Sequence, residues 1–120
     1  MNARAGVAFL SERTQFERVA RRGKKITGFF WQMRFFPNKT QSARLGLVIG
    51  KRHVRKATRR NKIRRLLREA FRQHLRLQLP PLDIIAQVSP QTKRPKLPPT
   101  ADVEVQEEFF QMLRTLPRHI

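Results

Sequence analysis

Cysteine is absent from this chain of 120 residues, which excludes a disulfide framework, a thiolate metal site and a cysteine nucleophile. Acidic residues are scarce, because only eight Asp and Glu stand against 27 Lys and Arg. Hydrolysis of phosphate esters by a protein usually needs clustered carboxylates that hold divalent metals, or paired histidines. The histidines His53, His74 and His119 are scattered, and no glycine-rich phosphate loop occurs. The sequence therefore predicts no catalytic residue, no metal site and no cofactor in the chain itself.

Long apolar runs are missing as well. The N-terminal part has one early arginine and a short apolar run, residues 7–10, which is too short for a signal peptide or a membrane span. Apolar residues still make up 39% of the chain and include nine Phe, enough for a hydrophobic core. We therefore expect a cytoplasmic protein that folds as a single domain over residues 1–120, with no membrane partner and no evident obligate protein partner.

Positive charge is abundant and concentrated. The formal net charge is +19, and residues 51–76 hold 12 of the 27 Lys and Arg but one of the eight acids. Such a balance is typical of proteins that bind nucleic acid or anionic membranes. A membrane role favours a basic amphipathic helix at an end of the chain, whereas this segment lies mid-chain between strand-like segments. Nucleic acid is therefore the better interpretation.

The run TRRNKIRRLLREAFR, residues 58–72, predicts an amphipathic helix with one apolar and one basic side. The apolar stripe consists of Ile63, Leu66, Leu67, Ala70 and Phe71. A solvated helix face is the usual interpretation of charged runs in which the two signs alternate. Here Glu69 is the one acid, so like charges four residues apart repel each other with little compensation. A helix with this pattern is expected to meet a polyanion.

The segments before this helix predict a helix and two strands. A short helix capped by Ser11 or Thr14 should run to about residue 22, with Phe16, Val19 and Ala20 as its apolar stripe. Residues 26–36 and 44–49 are rich in β-branched and aromatic residues, and we expect 37–42 to join them as a hairpin loop. Alternation in the first strand places four side chains on its partly wet face: Phe30, Gln32, Arg34 and Phe36.

The segments after the long helix, which should end near residue 77, predict one more strand and one more helix. Residues 82–88 form the strand, so a β-α-β crossover could make it a parallel neighbour of 44–49. Residues 89–100 hold four of the eight prolines and predict an extended loop. A last helix is expected over about 101–116. The core of the domain should then span about 12–88.

The motif Arg60-Asn61-Lys62, followed by IRRLLREAFR, closely resembles one family, the protein component of bacterial ribonuclease P. Three further segments are similar to that family: TQFERVARRG, ARLGLVIGKRHVRKA and LPPLDIIAQV. The resemblance covers about residues 13–90. It implies an α/β (α+β) two-layer sandwich with a small mixed sheet, ribosomal protein S5 domain 2-like. It also implies a left-handed β-α-β crossover, where general chirality rules predict a right-handed one.

The function that the resemblance implies is removal of the 5′ leader from precursor tRNA. In that family a large RNA subunit carries out the magnesium-dependent hydrolysis, and the protein binds this RNA and the leader and assists substrate and metal-ion binding. The partners implied are ribonuclease P RNA and precursor tRNA, with magnesium as a cofactor of the ribonucleoprotein. Catalysis by the RNA subunit agrees with the absence of clustered carboxylates from this sequence.

The resemblance also implies roles for particular residues. Ten would contact the catalytic RNA: Arg60, Asn61, Lys62, Arg64, Arg65 and Arg68 in the helix, and Lys51, Arg52, Arg55 and Lys56 in the basic connection before it. Three would bind the single-stranded leader: Phe16, Phe30 and Arg34. Bases stack on aromatic rings while a cation follows the backbone. Plain core packing is the alternative for the two Phe, and a first-turn polar residue is the alternative for Asn61.

Departures from the family pattern affect three regions. Ala20 stands where many members have a second aromatic residue, and Lys62 replaces the commoner Arg. The loop 89–100 is longer and richer in proline than usual.

Two other functions fit the charge: a non-enzymatic RNA-binding protein of ribosomal type, and a repressor-like DNA-binding domain. The second predicts a short turn before the recognition helix, where this sequence has a strand.

Overall fold

The computed structural model describes residues 8–10, 12–39, 42–75, 80–89 and 102–116. These residues form five strands and three helices: β1 (Ala8–Phe9), α1 (Arg13–Arg22), β2 (Lys24–Thr27), β3 (Trp31–Pro37), β4 (Arg44–Val48), α2 (Ala57–Leu75), β5 (Leu82–Val88) and α3 (Asp102–Thr115). The expected loop 89–100 lies outside the described residues except for Ser89.

The strands form one mixed sheet in the order β1-β4-β5-β3-β2. β4 and β5 are parallel, with Arg44 opposite Asp83, which confirms that the strands on either side of α2 are parallel neighbours. β5 and β3 are antiparallel, and so are β3 and β2. The α/β class and the mixed sheet are therefore confirmed, while the left-handed crossover stays a prediction.

The hairpin expected between residues 26–36 and 44–49 is wrong, because β5 lies between β3 and β4. The reason is burial, since a strand that is apolar on both faces is stabilised most at the centre of a sheet. In β5, Ile84 and Ala86 are fully buried on one face and Ile85 is buried on the other. The chain after β3 therefore passes over to the far side of β5.

The single strand expected over 26–36 is two strands, β2 and β3, joined by Gly28–Phe30. A carboxylate from α3 holds this turn: Glu108 accepts backbone N–H groups from Phe29 at 2.7 Å and from Phe30 and Trp31 at 2.8 Å. Gly28 leaves room for this carboxylate, because a Cβ there would lie 2.7 Å from Glu108 Oε1. An interaction across 77 to 79 residues decides where the strand breaks.

The larger core fills the space between one face of the sheet and the helices α2 and α3. Four of the five residues of the predicted α2 stripe are buried there, Ile63, Leu67, Ala70 and Phe71, whereas Leu66 is half-buried. The Trp31 ring is fully buried and its Nε1 donates to the Val105 carbonyl of α3 at 2.9 Å. The buried stripe of α3 consists of Val105, Phe109, Met112, Leu113 and, just after it, Leu116. Val103 lies off this stripe and is 68% exposed.

The opposite face of the sheet carries α1 over a smaller apolar cluster. Val19 is buried with Leu10 and Ile85, and the rings of Phe16 and Phe36 pack against them. Gly46 of β4 makes room for Phe16, because a Cβ at this position would lie 2.6 Å from two ring carbons.

Two expectations for α1 are corrected. The helix begins after Glu12, which forms a capping box with Gln15, so Thr14 lies inside the helix and does not cap it. Ala20 is exposed, because the helix turns only Val19 and Phe16 toward the sheet. Ser11, the other expected cap, lies outside the described residues.

Candidate nucleic-acid interface

The side of α2 that faces away from the core is a continuous cationic surface. We call it the α2 basic face, and it consists of six predicted residues: Arg60, Asn61, Lys62, Arg64, Arg65 and Arg68. Arg60 and Arg64 are half-buried and the other four are exposed. Nearby carboxylates in the described part of the chain are Glu69, which pairs with Arg72 at 3.2 Å, and Asp102 of α3. The structure thus brings the predicted helix residues together on one side of α2.

Arg60 fixes the basic connection to the first turn of α2. Its Nη1 donates to the carbonyl oxygens of Val54 at 3.0 Å and Arg55 at 2.8 Å. Upstream, the backbone N–H groups of His53 and Val54 both donate to the Gly50 carbonyl at 3.1 Å, which folds the connection back on itself. The four predicted cations of this connection are all exposed: Lys51, Arg52, Arg55 and Lys56. Arg60 therefore positions a second set of cations beside the α2 basic face.

Asp102, the first residue of α3, links that helix to α2. It accepts from Arg59 Nη2 at 3.0 Å and lies 3.2 Å from Lys62 Nζ. Burial alone would raise the pKa of Asp102, but the hydrogen bonds from Arg59 and Lys62 outweigh it and hold the pKa below its ordinary value. Sequence reasoning missed this bridge, although acids in the first turn of α3 were a visible signal.

Replacing Asp102 with asparagine should reduce stability at neutral pH and change little in acid. Because the folded-state pKa is lowered, the stabilisation is present above the unfolded pKa of about 3.9 and is lost as the pH falls through the folded-state pKa. We expect a loss of about 1 kcal/mol at pH 7, measured by urea unfolding. The difference from the unsubstituted chain should shrink at pH 3.

Glu104→Gln is the matched control, because Glu104 is exposed in the same first turn of α3. Both substitutions remove a negative charge near the positive end of the helix dipole, so that contribution cancels between them. An Asp102→Asn effect of the same size at both pH values would show that the bridge to α2 does not supply the stabilisation.

A second candidate surface lies on the sheet face that carries α1. Arg34 of β3 is half-buried there, and its Nη1 donates to the Ala20 carbonyl of α1 at 3.0 Å. Phe16 lies over Gly46, which is in the same row across the sheet as Arg34. The structure thus places two of the three predicted leader-binding residues, Phe16 and Arg34, along α1.

The next row of the sheet beside α1 is polar at its centre. We call it the polar row, and strand register defines it as Thr27, Gln32, Gln87 and Val48. Gln87 Nε2 donates to Gln32 Oε1 at 2.8 Å. Val48 ends β4, so the row leads directly to the basic connection. Alternation in the sequence predicted that Gln32 lies on the partly solvated face. The presence of Gln87 beside it depends on the register between β3 and β5, which the sequence does not show.

The expectation that Phe30 joins Phe16 is corrected. Phe30 packs against the larger core on the α2 and α3 side and meets Phe29 edge to face, with ring centroids 4.8 Å apart. The reason is the break between β2 and β3, since strand alternation does not govern a residue in the turn. The structure therefore does not bring Phe30 together with Phe16, and a leader contact of Phe30 stays a prediction.

The chemistry of these surfaces suits anionic ligands. Guanidinium groups form forked hydrogen bonds with phosphate, whereas magnesium prefers oxygen ligands. Within the described residues, no group of three or more His, Asp or Glu side chains is placed to hold a metal ion. None of the described helices is long and apolar enough to cross a membrane.

Known proteins match this chain in sequence and in fold. The family model described as Ribonuclease P matches residues 6–115. The ribonuclease P protein component of Bordetella petrii is 51% identical over 49 residues, which are 41% of this chain and 39% of that protein. The corresponding protein of Nitrosomonas eutropha is 32% identical over 113 residues, covering 94% of this chain and 82% of that protein.

A solved structure shows the same fold. The Staphylococcus aureus RNase P protein superposes with a TM-score of 0.75 at 23% identity, over 90% of this chain and 94% of that one. The family model covers nearly the whole described fold, including both candidate surfaces. The chain therefore belongs to the ribonuclease P protein family.

Proposed function

We propose that this chain binds the catalytic RNA of ribonuclease P through the α2 basic face and the connection before it. The family makes it a subunit of an endoribonuclease complex. The observation that carries the proposal is the set of arginines along one side of α2. The buried stripe fixes the helix that carries them, and Arg60 ties the connection to this helix, so RNA binding requires little ordering of the backbone.

The 5′ leader of precursor tRNA would lie over the polar row, between α1 and the basic connection. The half-buried Phe16 offers an aromatic ring for stacking, and Arg34 offers a cation held by the Ala20 carbonyl. The half-buried Gln87 offers its amide to base edges, and the buried Gln32 holds that amide by accepting a hydrogen bond from Gln87 Nε2. Because the row ends at Val48, the leader and the catalytic RNA would meet at the start of the connection.

The role of the protein in this complex would be electrostatic and positional. Magnesium ions bound by the RNA would supply the chemistry of phosphodiester hydrolysis. The residues of this chain would bring positive charge to two negatively charged RNAs, reducing the ion concentration that their close approach requires. The arginines hold the substrate against its catalyst and transfer no proton.

Reconstitution at low magnesium tests this function. Adding the chain to ribonuclease P RNA from the same organism should raise the rate of precursor-tRNA cleavage at a magnesium concentration where the RNA alone is slow. The measurement is the rate of release of the 5′-labelled leader. Polylysine at equal positive charge is the control for unspecific neutralisation. A rate that the chain leaves unchanged, or that polylysine raises equally, would overturn the proposal.

A further inference from the structure

A second basic groove lies between α1 and the strand ends at which β3 stops and β4 starts. It encloses about 840 Å³. Six lining residues characterise it: Arg18, Arg21, Arg22, Lys39, Arg44 and Phe36. We call it the α1 groove. It shares no residue with the α2 basic face, the connection or the polar row.

The α1 groove lies on the side of α1 that is opposite Phe16 and Ala20. Residues 14, 18 and 21 line the groove at the helical spacing i, i+4 and i+7. At about 100° per residue, Phe16 and Ala20 lie roughly half a turn away from Arg18. The positions along β4 lead to the same conclusion. Arg44, which lines the groove, is the first residue of β4, whereas Val48, which belongs to the polar row, is its last residue. The helix therefore separates the two surfaces.

The cations of the groove exceed its acids. Glu17 is the acidic residue of the lining, and it pairs with Arg13 at 3.0 Å. In the described ranges, no carboxylate lies within ion-pair distance of Arg18, Arg21 or Lys39, and all three are exposed. The groove thus offers several charges to an anion without breaking an existing ion pair.

The floor of the groove is rigid. Arg44 donates from Nε and Nη2 to the two oxygens of Asp83 at 2.7 and 2.8 Å. Asn38 Nδ2 donates to the same carboxylate at 2.9 Å and to the Ser42 carbonyl at 3.2 Å. The hydrogen bond with Asp83 raises the pKa of Arg44, so its charge persists. Asp83 neutralises Arg44 and fixes the floor, so the net positive charge of the groove comes from its exposed cations, Arg18, Arg21 and Lys39.

An apolar notch of about 140 Å³ opens beside the groove. Its lining includes Phe35, Phe36, Pro37 and Leu82, with Arg22 and Lys24 at its rim. Phe36, Pro37 and Arg22 line both the notch and the groove. Phe35 and Leu82 are buried, and the half-buried Phe36 offers a ring beside the cations. Such a ring suits single-stranded RNA, whose bases are free to stack, whereas a duplex keeps its bases inside. The combination therefore favours a single strand.

Exposed cations connect the two sides of α1 around its C-terminal end. Lys25 lies opposite Arg34 in the β2–β3 register, and Lys24 and Arg22 follow toward the notch. Arg21 and Arg22 occupy the last turn of α1. A strand that leaves the polar row past Arg34 would meet positive charge along this whole path.

We propose that the α1 groove binds the distal part of the 5′ leader, after the leader has passed around the C-terminal end of α1. This proposal rests on the proposed function, which places the proximal leader on the polar row. It adds a second leader subsite, so longer leaders should bind more tightly than short ones through phosphates that contact Arg18, Arg21 and Lys39.

The test compares Arg21→Glu with Arg114→Glu in the reconstituted holoenzyme. Both arginines are exposed and lie in the last turn of a helix. The two substitutions therefore remove the same favourable interaction with the negative end of the helix dipole. Binding is measured for precursor tRNAs with leaders graded from about 4 to about 16 nucleotides, the range that single-strand grooves cover. With the longest leader, Arg21→Glu should weaken binding about tenfold at low salt, because it removes one phosphate contact and adds a repulsion.

With the shortest leader, Arg21→Glu should bind like the unsubstituted chain, and Arg114→Glu should do so at every length. Equal binding by the two variants at every length overturns the groove assignment, provided that the unsubstituted chain gains affinity from long leaders. A loss that is independent of leader length also overturns it, because the occupant is then not the distal leader. If the unsubstituted chain gains nothing from any leader, the leader-binding function itself fails.

Discussion

Replacing Glu108 with alanine should lower the free energy of unfolding by about 3 kcal/mol, because three backbone N–H groups lose a charged acceptor together. Two of these donors are partly buried, at Phe30 and Trp31, so water replaces the carboxylate only in part. Trp31 is the single tryptophan of the chain and is fully buried, so its fluorescence reports urea unfolding directly.

Glu107→Ala is the matched control, since Glu107 is the neighbouring residue of α3 and is exposed. It should change the free energy of unfolding by no more than about 0.5 kcal/mol. Glu108→Gln should fall between the two, because the amide keeps one acceptor oxygen and turns an NH₂ group toward a backbone donor. Equal stability of the Glu108→Ala and Glu107→Ala proteins would mean that the turn does not depend on this carboxylate.

Changing Arg64, Arg65 and Arg68 together to alanine should weaken binding to the catalytic RNA about 100-fold at low salt, if each phosphate contact contributes about 1 kcal/mol. The salt dependence should flatten as well. Each lost contact removes about 0.7 to 0.9 from the slope of log affinity against log salt, so three remove about 2 to 3. The measurement is the dissociation constant of the protein and RNA over a salt series.

The fold should survive this triple change. The three side chains lie on the outer side of α2, and their removal relieves repulsion between cations four residues apart, such as Arg64 and Arg68. Arg114→Ala gives the baseline for one exposed cation away from the candidate surfaces. The triple variant would contradict the proposal if its salt slope fell by no more than three times the fall measured for Arg114→Ala. The arginines would then be an ordinary solvated face.

Local patterns predicted the elements whose structure depends on their own residues. The 3.6-residue period of α2 predicted its buried stripe, because Ile63, Leu67 and Phe71 repeat on one side regardless of what covers them. Strand pairing was predicted less well. Whether β4 pairs with β3 or with β5 is decided by competition for the centre of the sheet, and the more apolar β5 occurs later in the chain.

Whether a candidate surface could be predicted also depends on whether one segment or several distant segments form it. The α2 basic face was predictable because one continuous segment carries it. The polar row was not, because Gln87 reaches Gln32 only through the register of two strands. Phe30 was assigned to the wrong side of the sheet because Glu108, far along the chain, holds it in the turn between β2 and β3. Contacts between distant segments leave no periodic signal in either of them.

The central position of β5 also has a consequence for synthesis of the protein on the ribosome. Until residues 82–88 emerge, the pair of β1 and β4 and the pair of β2 and β3 have no strand to join them. The residues of α2 have by then already been synthesised, and the sheet that buries their apolar stripe is still incomplete. At about 5–20 residues per second, this stripe stays uncovered on the order of seconds before the domain can close over it.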